Sequence, residues 1–597
     1  METVLDGDNP AKRNAQFSHA AIDWLIAGGC IGIVISPGSR HTPLVMAAAQ
    51  AGVRTEVVLD ERSAGFLALG WAKAAQAPVA LMCTSGTAGA HYLPAVIEAW
   101  ETGVPLMLVT TDRPPEHLGI GAPQTTRQDG FFTHHVKGQC VIGAADDASA
   151  IGDLGGLDEL LVLARAGKPG PVHINIGFRE PLWEATPTPV DLRDATSPVA
   201  AIDPDPDPVI RFPDAPQGIL VVGPVQEARP DAAAAVQALV ALAQDRGWPV
   251  LADIASGLRQ HAPLASTLVH GSDLFLRSAA AREALRPQLV LHVGRMPTSK
   301  TLFTWLQQLE DDDVEVVHLS TDGQPHSLGH APRVVATNWQ QLQASCSAAS
   351  PAVRGNDDWM HRWQDAARLT YSAIDDASSD AGLWEGTVAR MASGMPAGSS
   401  LVLGSGMPIR DADTYVTRLA PDTSCLVNRG VNGIDGLLAT AAGVATHDPG
   451  APVRLLAGDQ AFLHDLGSLA VVAGRPNLEV VVINNGGSGI FEFLPISQAG
   501  EAFEKYFLAP QHADIPAAAA AFGIAACRCT SSEELAGLLA TPRQGPRIIE
   551  VMVERAHNVY IHKQVSAAVI DRLDQDLHTE TTDGKRADAR KRGVESG

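Results

Sequence analysis

The chain has 597 residues, 45% of them hydrophobic and 19% charged, with a formal net charge of -23. This is the composition of a globular protein of roughly three or four domains, and the acidic balance argues against nucleic acid or an anionic membrane as the main partner. The N-terminal METVLDGDNPAKR has no apolar signal-peptide core, no run of about 18 apolar residues could span a membrane, and the seven scattered cysteines include no CxxC. Those features point to a reducing, cytoplasmic compartment.

Apolar runs at 31–35, 56–59, 79–83, 106–110 and 172–176 alternate with helical patterns through the first third. The alternation predicts an α/β fold with a doubly wound, mostly parallel sheet, assigned to residues 1–185. A Pro- and Asp-rich stretch, 186–209, reads as a linker. A second α/β unit, 210–350, opens with GILVVG and continues through runs at 250–253, 289–294 and 314–319. The polar SPAVRGNDD begins a segment of linker and helix, 351–385. The last unit, 386–573, holds runs at 401–404, 425–428 and 548–553, with a capping box at Ser531-x-x-Glu534. In it Cys527 and Cys529 alternate on a strand as packing residues. Residues 574–597 are polar and poor in hydrophobic residues, which predicts a disordered tail. The first and last thirds look like two copies of one fold.

Within the last unit, VRLLAGDQAFLHDLGSLAVVAGRPNLEVVVINNGGSGIF reads as one βαβ element, with Leu463, Leu466, Leu469 and Ala470 on one face of its helix. Gly458-Asp459 ends the first strand and Asn484-Asn485-Gly486-Gly487 the second. Carboxyl ends of neighbouring parallel strands face one crevice, so both clusters can serve one ligand. Asp459 and Asn485 offer hard oxygen donors suited to Mg²⁺, and Gly458, Gly486 and Gly487 leave room for a diphosphate. The spacing of 26 residues between Asp459 and Asn485 resembles the Gly-Asp…Asn-Asn signature of thiamine-diphosphate enzymes.

The first unit has loops at strand ends as well: Ser36-Pro37-Gly38-Ser39-Arg40, Asp60-Glu61-Arg62, Thr84-Ser85-Gly86-Thr87-Ala88 and Asp112-Arg113-Pro114-Pro115-Glu116. Together they outline a crevice. Glu61 follows an apolar strand and precedes a Gly/Ala-rich helix, an environment expected to desolvate its carboxyl and raise its pKa. A carboxyl bonded to thiamine's aminopyrimidine ring would favour the tautomer that takes the thiazolium proton.

SPGSRHTPL, LDERSAGFLALG, TSGTAGA, TTDRPPE, NRGVNGIDG, the Gly-Asp…Asn-Asn pair and GIFEFLP occur in that order. Over residues from about 15 to 570 the chain resembles the 2-succinyl-5-enolpyruvyl-6-hydroxy-3-cyclohexene-1-carboxylate synthases, thiamine-diphosphate-dependent transferases of menaquinone and phylloquinone biosynthesis. The resemblance implies three domains of the thiamine-diphosphate type and a homodimer, or a tetramer of two such dimers, with its sites at the subunit interface. Glu61 and Asp459 would then meet only across that interface. It implies decarboxylation of 2-oxoglutarate and Stetter-like addition of the resulting carbanion to isochorismate. Cofactor contacts fall on Glu61, Gly458, Asp459, Asn485 and Ile434, and ligands to Mg²⁺ or Mn²⁺ on Asp459, Asn485 and Gly487.

Two dianionic substrates bring four carboxylates, which guanidinium forks pair with well. The positions matching the family's anion contacts are Arg40, Arg113, Arg410 and Arg429, with Lys300, Ser39 and Gln124 beside them. Ile434 matches the residue that props the bent cofactor, and Ile490, Phe491 and Leu494 the wall beside the substrate ring. Thr301 and Gly406 depart from the family, which often has Arg and Ser there. Another 2-oxoacid decarboxylase or carboligase fits the Arg-rich loops less well, and a non-catalytic binding subunit fits Glu61 and Asp459 less well. Gly404-Ser405-Gly406 lacks dinucleotide spacing and no GxSxG occurs, against dehydrogenase and hydrolase readings.

Overall fold

The computed structural model describes residues 9–147, 150, 157–184, 209–225, 230–261, 266–327, 329, 332–349 and 357–594. The linker predicted at 186–209 lies outside them apart from its last residue, as do the first residues of the polar break at 350–358 and the last three of the chain. The rest forms three six-stranded sheets, every pairing parallel. In the first, the spatial order is Thr55–Val57, Ile33–Ile35, Val79–Cys83, Leu106–Asp112, Val172–Gly177, Gln139–Ile142. The third repeats that order with Ser424–Val427, Ser400–Leu403, Val453–Gly458, Leu478–Asn484, Arg547–Met552 and Ala525–Cys529. The middle sheet runs Arg333–Ala336, Glu315–Ser320, Leu289–Val293, Gly218–Val222, Val250–Ala252, Leu268–Val269.

Central strands are buried from end to end, as the unbroken apolar runs require when helices cover both faces. Three strands match neither an apolar run nor the alternating cysteines at 527 and 529: Gln139–Ile142, Leu268–Val269 and Arg333–Ala336. All three are edge strands, and the first and last are largely exposed, so an apolar run is not needed there.

The crossover between Val453–Gly458 and Leu478–Asn484 differs from the expected continuous helix. It breaks into Asp459–His464, the tight turn Leu466–Ser468 and Leu469–Val472. Asp465 causes the break, because its buried carboxylate accepts from Leu438 N and Ala439 N on a neighbouring helix and from the Ser468 hydroxyl. The break rephases the buried face: Phe462, Leu469 and Val472 are buried while Ala470 is exposed. The capping box forms through Ser531 Oγ and Glu534 N (3.2 Å), whereas the Glu534 carboxylate takes Thr530 N (2.8 Å), one residue earlier than the motif implies. The last helix, Arg555–Val594, runs on past Asp574 through the stretch whose polarity predicts disorder; that stretch contains no proline to stop it.

The first and third sheets are joined by two crossing helices, Glu61–Ala75 and Leu437–His447. They approach so closely that a Cβ on Gly70 would lie 2.0 Å from the Thr440 carbonyl, and one on Gly443 2.0 Å from the Leu67 carbonyl. Polar links flank the crossing: Ser63 Oγ to Ser468 Oγ (2.8 Å), and Arg475 to Glu56 (2.6 Å). Lys73, buried on the same helix, donates to Glu98, to the Val427 carbonyl and to Asn428 Oδ1. This packing fixes where the helix that begins at Glu61 points.

Candidate active site

Asp459 is the first residue of its helix, and Gly458 precedes it in extended backbone. Its carboxylate is 3% exposed and accepts from the backbone N–H groups of Gln460 and Gly487. Burial outweighs those bonds and pushes the pKa up to about 6. The bond from Gly487 ties the two strand-end clusters together.

Asn484 and Asn485 divide the work. Asn484 Nδ2 donates to Glu550 (2.7 Å) and its Oδ1 accepts from Gly486 N (3.0 Å), so it holds the loop. Asn485 Nδ2 donates to Glu385 Oε1 (2.7 Å), while its Oδ1 is buried without a partner among the described residues. Gly486 and Gly487 have φ of +77° and +141°, and a Cβ at Gly487 would strike the Leu508 carbonyl at 2.5 Å, so the turn requires glycine. At Gly458 nothing lies within 4 Å of a Cβ position. A desolvated carboxylate, an orphaned amide oxygen and open space at a strand end are a donor set that fits a divalent cation carrying a diphosphate.

Glu385, which sequence reasoning missed, is fully buried beside Asp411 and His562, with the three ligand-type atoms within 4.8 Å of one another. Burial, then the Asp411 charge, pushes Glu385 up to about 7. His562 faces acceptors at both ring nitrogens, the Asn558 carbonyl from Nδ1 and Asp411 Oδ1 from Nε2, each at 2.9 Å. Both nitrogens must donate, so the ring is an imidazolium paired with Asp411, and its pKa is raised by that partner against the effect of burial. A cation with both nitrogens protonated is not a metal ligand. No sequence motif marks this cluster, because its members come from three distant helices.

Three residues beyond Gly487 the chain becomes the wall of a cavity of about 960 Å³. Lys300, Arg410, Ile490, Phe491 and Leu494 all line it, so the structure brings these five predicted residues together from the second and third sheets. Thr301 lies in the same wall. Arg410 turns back to donate to the Ser405 and Gly406 carbonyls (2.8 and 2.6 Å). Arg429 is near enough for its charge to depress the pKa of Arg410, after burial, but it does not line the cavity; its Nη1 is buried without a partner among the described residues. Ile434 is exposed.

The remaining predicted residues lie in the first sheet's crevice. Glu61 is half-buried, the first residue of a helix capped by Asp60, which accepts from Arg62 N (2.9 Å). Its charge is felt at the Cys83 thiol, pushed up to about 12 chiefly by burial, which sets the carboxyl near the end of strand Val79–Cys83. Arg40 is buried and donates to the Phe178 carbonyl and to Glu180 (each 2.9 Å), and Arg113 lies 3.9 Å from the same Glu180. Glu180 thus bridges the two guanidiniums, a role that no sequence motif signals. Ser39 and Gln124 are exposed at the crevice mouth, and Gln124 Nε2 donates to the Ser85 carbonyl (3.1 Å). Among the described residues, no hydrogen bond or ion pair joins this group to Asp459, Asn485 or the cavity.

Two strand-end crevices of matched topology, one with a carboxyl at a helix start and one with Asp459 and Asn485 oxygens beside a glycine turn, are the arrangement of a thiamine pyrophosphate enzyme. Residues 15–131 match the family described as thiamine pyrophosphate enzyme, N-terminal TPP binding domain, 209–401 its middle domain and 404–551 its C-terminal TPP binding domain. The chain is 36% identical over 571 residues to the 2-succinyl-5-enolpyruvyl-6-hydroxy-3-cyclohexene-1-carboxylate synthase of Bacillus velezensis, covering 92% of this chain and 96% of that one. It is 36% identical to the synthase of the same name from Synechococcus elongatus, covering 92% and 95%, and 37% identical to that of Sorangium cellulosum, covering 89% and 91%. The chain belongs to this family of synthases. No helix among the described residues is long and apolar enough to cross a membrane.

Proposed function

We propose that this chain decarboxylates 2-oxoglutarate and adds the remaining four-carbon unit to isochorismate, forming 2-succinyl-5-enolpyruvyl-6-hydroxy-3-cyclohexene-1-carboxylate and CO₂ on a route to menaquinone. The observation that carries this reading is the cavity with Lys300 and Arg410 in its wall, opening three residues from the Asn485–Gly487 loop in a chain whose full-length relatives bear that product's name.

When bound, thiamine diphosphate would supply a nucleophilic thiazolium carbon and an electron sink for the pair left behind as CO₂ departs. Asp459 and the free Oδ1 of Asn485 would hold Mg²⁺ or Mn²⁺, and Gly458, Gly486 and Gly487 would let the diphosphate reach the backbone. Glu61 holds a proton at the aminopyrimidine ring. Lys300, Arg410, Arg429, Arg40 and Arg113, with Ser39 and Gln124, receive the carboxylates. Ile434 would support the cofactor, and Ile490, Phe491 and Leu494 would keep water from the reacting carbon. Because the Glu61 and Asp459 groups occupy separate crevices of one chain, the working unit is a homodimer in which the first domain of one subunit faces the third domain of another. Leu59, 82% exposed beside Glu61, and Ile120, 70% exposed, supply apolar surface for that interface.

The test is turnover with the cofactor and Mg²⁺, following isochorismate loss with and without 2-oxoglutarate and weighing the product. Loss that needs both, with a product mass equal to the sum of the substrates less CO₂, supports the reading; CO₂ and succinic semialdehyde alone refute the addition step. Glu61→Gln should abolish turnover with the fold intact, and full activity in that variant would overturn the mechanism.

A further inference from the structure

The charges lining the cavity do not balance. Its three carboxylates are already paired: Asp273 with Arg277 (2.6 Å), Asp411 with His562 (2.9 Å) and Asp413 with Arg259 (2.6 Å). Four cations in the same wall, Arg282, Lys300, Arg410 and Lys563, touch no carboxylate among the described residues. Among the described residues Arg282 donates only to the Leu276 carbonyl (2.9 Å) and Arg410 only to carbonyls of its own loop. An acidic chain therefore encloses a basin of positive charge, and the sequence expectation accounts for two of its four uncompensated members.

Arg282 and Lys563 have a defined place in the fold. The short helix Ala279–Ala284 packs on the terminal helix Arg555–Val594, so the two residues stand on adjoining elements. Lys563, Ser566, Ala567 and Ile570 all line the cavity at i, i+3, i+4 and i+7, which is one face of a helix. That face sets an ammonium on the same stripe as an apolar residue, in a cavity whose wall also holds Phe491 and Leu494. A flat or puckered carbon ring suits those apolar side chains, and its carboxylates suit the cations. An open-chain diacid has no ring to cover them.

We propose that Lys563 and Arg282 form a carboxylate subsite for the cyclic dicarboxylate substrate, a site that also offsets the lack of a basic residue at Thr301. The inference rests on the functional reading above and deepens it: Lys563 and Arg282 hold the ring acceptor and leave the 2-oxoacid to other cations. Loss of one charge-assisted hydrogen bond corresponds to about a 10- to 100-fold weakening.

Steady-state kinetics of K563A and R282A in the full-length holoenzyme test it, with each substrate varied in turn. Each variant should raise KM for isochorismate about 10- to 100-fold and leave KM for 2-oxoglutarate unchanged, and K563R should recover most of the loss. Calorimetric titration of isochorismate into protein loaded with thiamine diphosphate and Mg²⁺, without 2-oxoglutarate, should show the same weakening in the absence of turnover. An unchanged isochorismate KM in both variants, or a rise in the 2-oxoglutarate KM instead, overturns the subsite while active wild type keeps the functional reading. Wild type that consumes no isochorismate removes both.

Discussion

Lys73 and Glu98 form an ion pair (3.3 Å) with each side chain 2% exposed, between the first domain and the loop that carries Arg429. Glu98 also accepts from Gly430 N (2.9 Å) and Val431 N (3.0 Å), and burial lowers the Lys73 pKa against the pull of Glu98. The two halves of the pair are unequal. Lys73→Met leaves Glu98 with two backbone donors. Glu98→Ala leaves an ammonium with only the Val427 carbonyl and Asn428 Oδ1 and strips both N–H groups of their acceptor. Breaking a buried pair by removing one partner costs about 3 to 5 kcal/mol. Glu98→Ala should fall in that range and exceed Lys73→Met. The double variant should cost less than the sum of the singles by about 1 to 3 kcal/mol, since removing the second partner removes the stranded charge. Equilibrium urea denaturation of the four proteins measures this. Additive single costs, or a Glu98→Ala loss below about 1 kcal/mol, would refute the account of this pair as buried and coupled.

Three further outcomes follow from the same geometry. Gly70→Ala and Gly443→Ala each drive a methyl group to 2.0 Å from a facing carbonyl oxygen, so each should lower the thermal midpoint by an overpacking cost of about 1 to 3 kcal/mol or more; unchanged midpoints would count against the close crossing. His173 is fully buried, bonds Thr110 Oγ1 (2.8 Å), and burial lowers its pKa to about 4. A depressed His pKa gives stability that is complete above the unfolded value near 6.5 and is lost as pH falls towards 4. The stability deficit of His173→Gln relative to wild type, read from urea midpoints, should therefore shrink by about 2 kcal/mol between pH 7.5 and pH 5. Glu385→Ala should weaken Mg²⁺ binding in the presence of thiamine diphosphate by about 10- to 100-fold, with Glu385→Gln largely retaining it, because Glu385 Oε1 holds Asn485 Nδ2 and so turns Oδ1 outward; equal affinities by calorimetry would refute that role.

Local chemistry made the strand framework readable. Val79–Cys83 and Leu106–Asp112 are buried along their whole length, so an unbroken apolar run was both necessary and visible. Gln139–Ile142, exposed at an edge, needed no such run and left none. The Gly458-Asp459 and Asn485-Gly486-Gly487 clusters were legible because backbone conformation and donor chemistry dictate residue type within a few positions. Glu385 and His562 were not, since their partners Asn485 and Asp411 lie 100 and 151 positions away. The broken crossover shows the same limit: the apolar spacing from Leu463 to Ala470 suits one helix, and only the long-range capture of Leu438 N and Ala439 N by Asp465 interrupts it.

The repeated strand order of the first and third sheets gives each the same kind of ligand crevice at corresponding strand ends, yet the two are filled with different chemistry. One has Glu61 and the Arg40–Glu180–Arg113 bridge; the other has Asp459, the orphaned oxygen of Asn485 and the cationic cavity. The helices that join the domains are locked by glycine contacts at backbone distance, and Ser63, Lys73 and Arg475 pin their flanks. Sliding one domain over the other to merge the crevices would break all of these at once. The homodimer proposed above would complete the two-crevice site by presenting each half to a second molecule, and it would cover the apolar side chains of Leu59 and Ile434, 82% and 45% exposed beside the two halves.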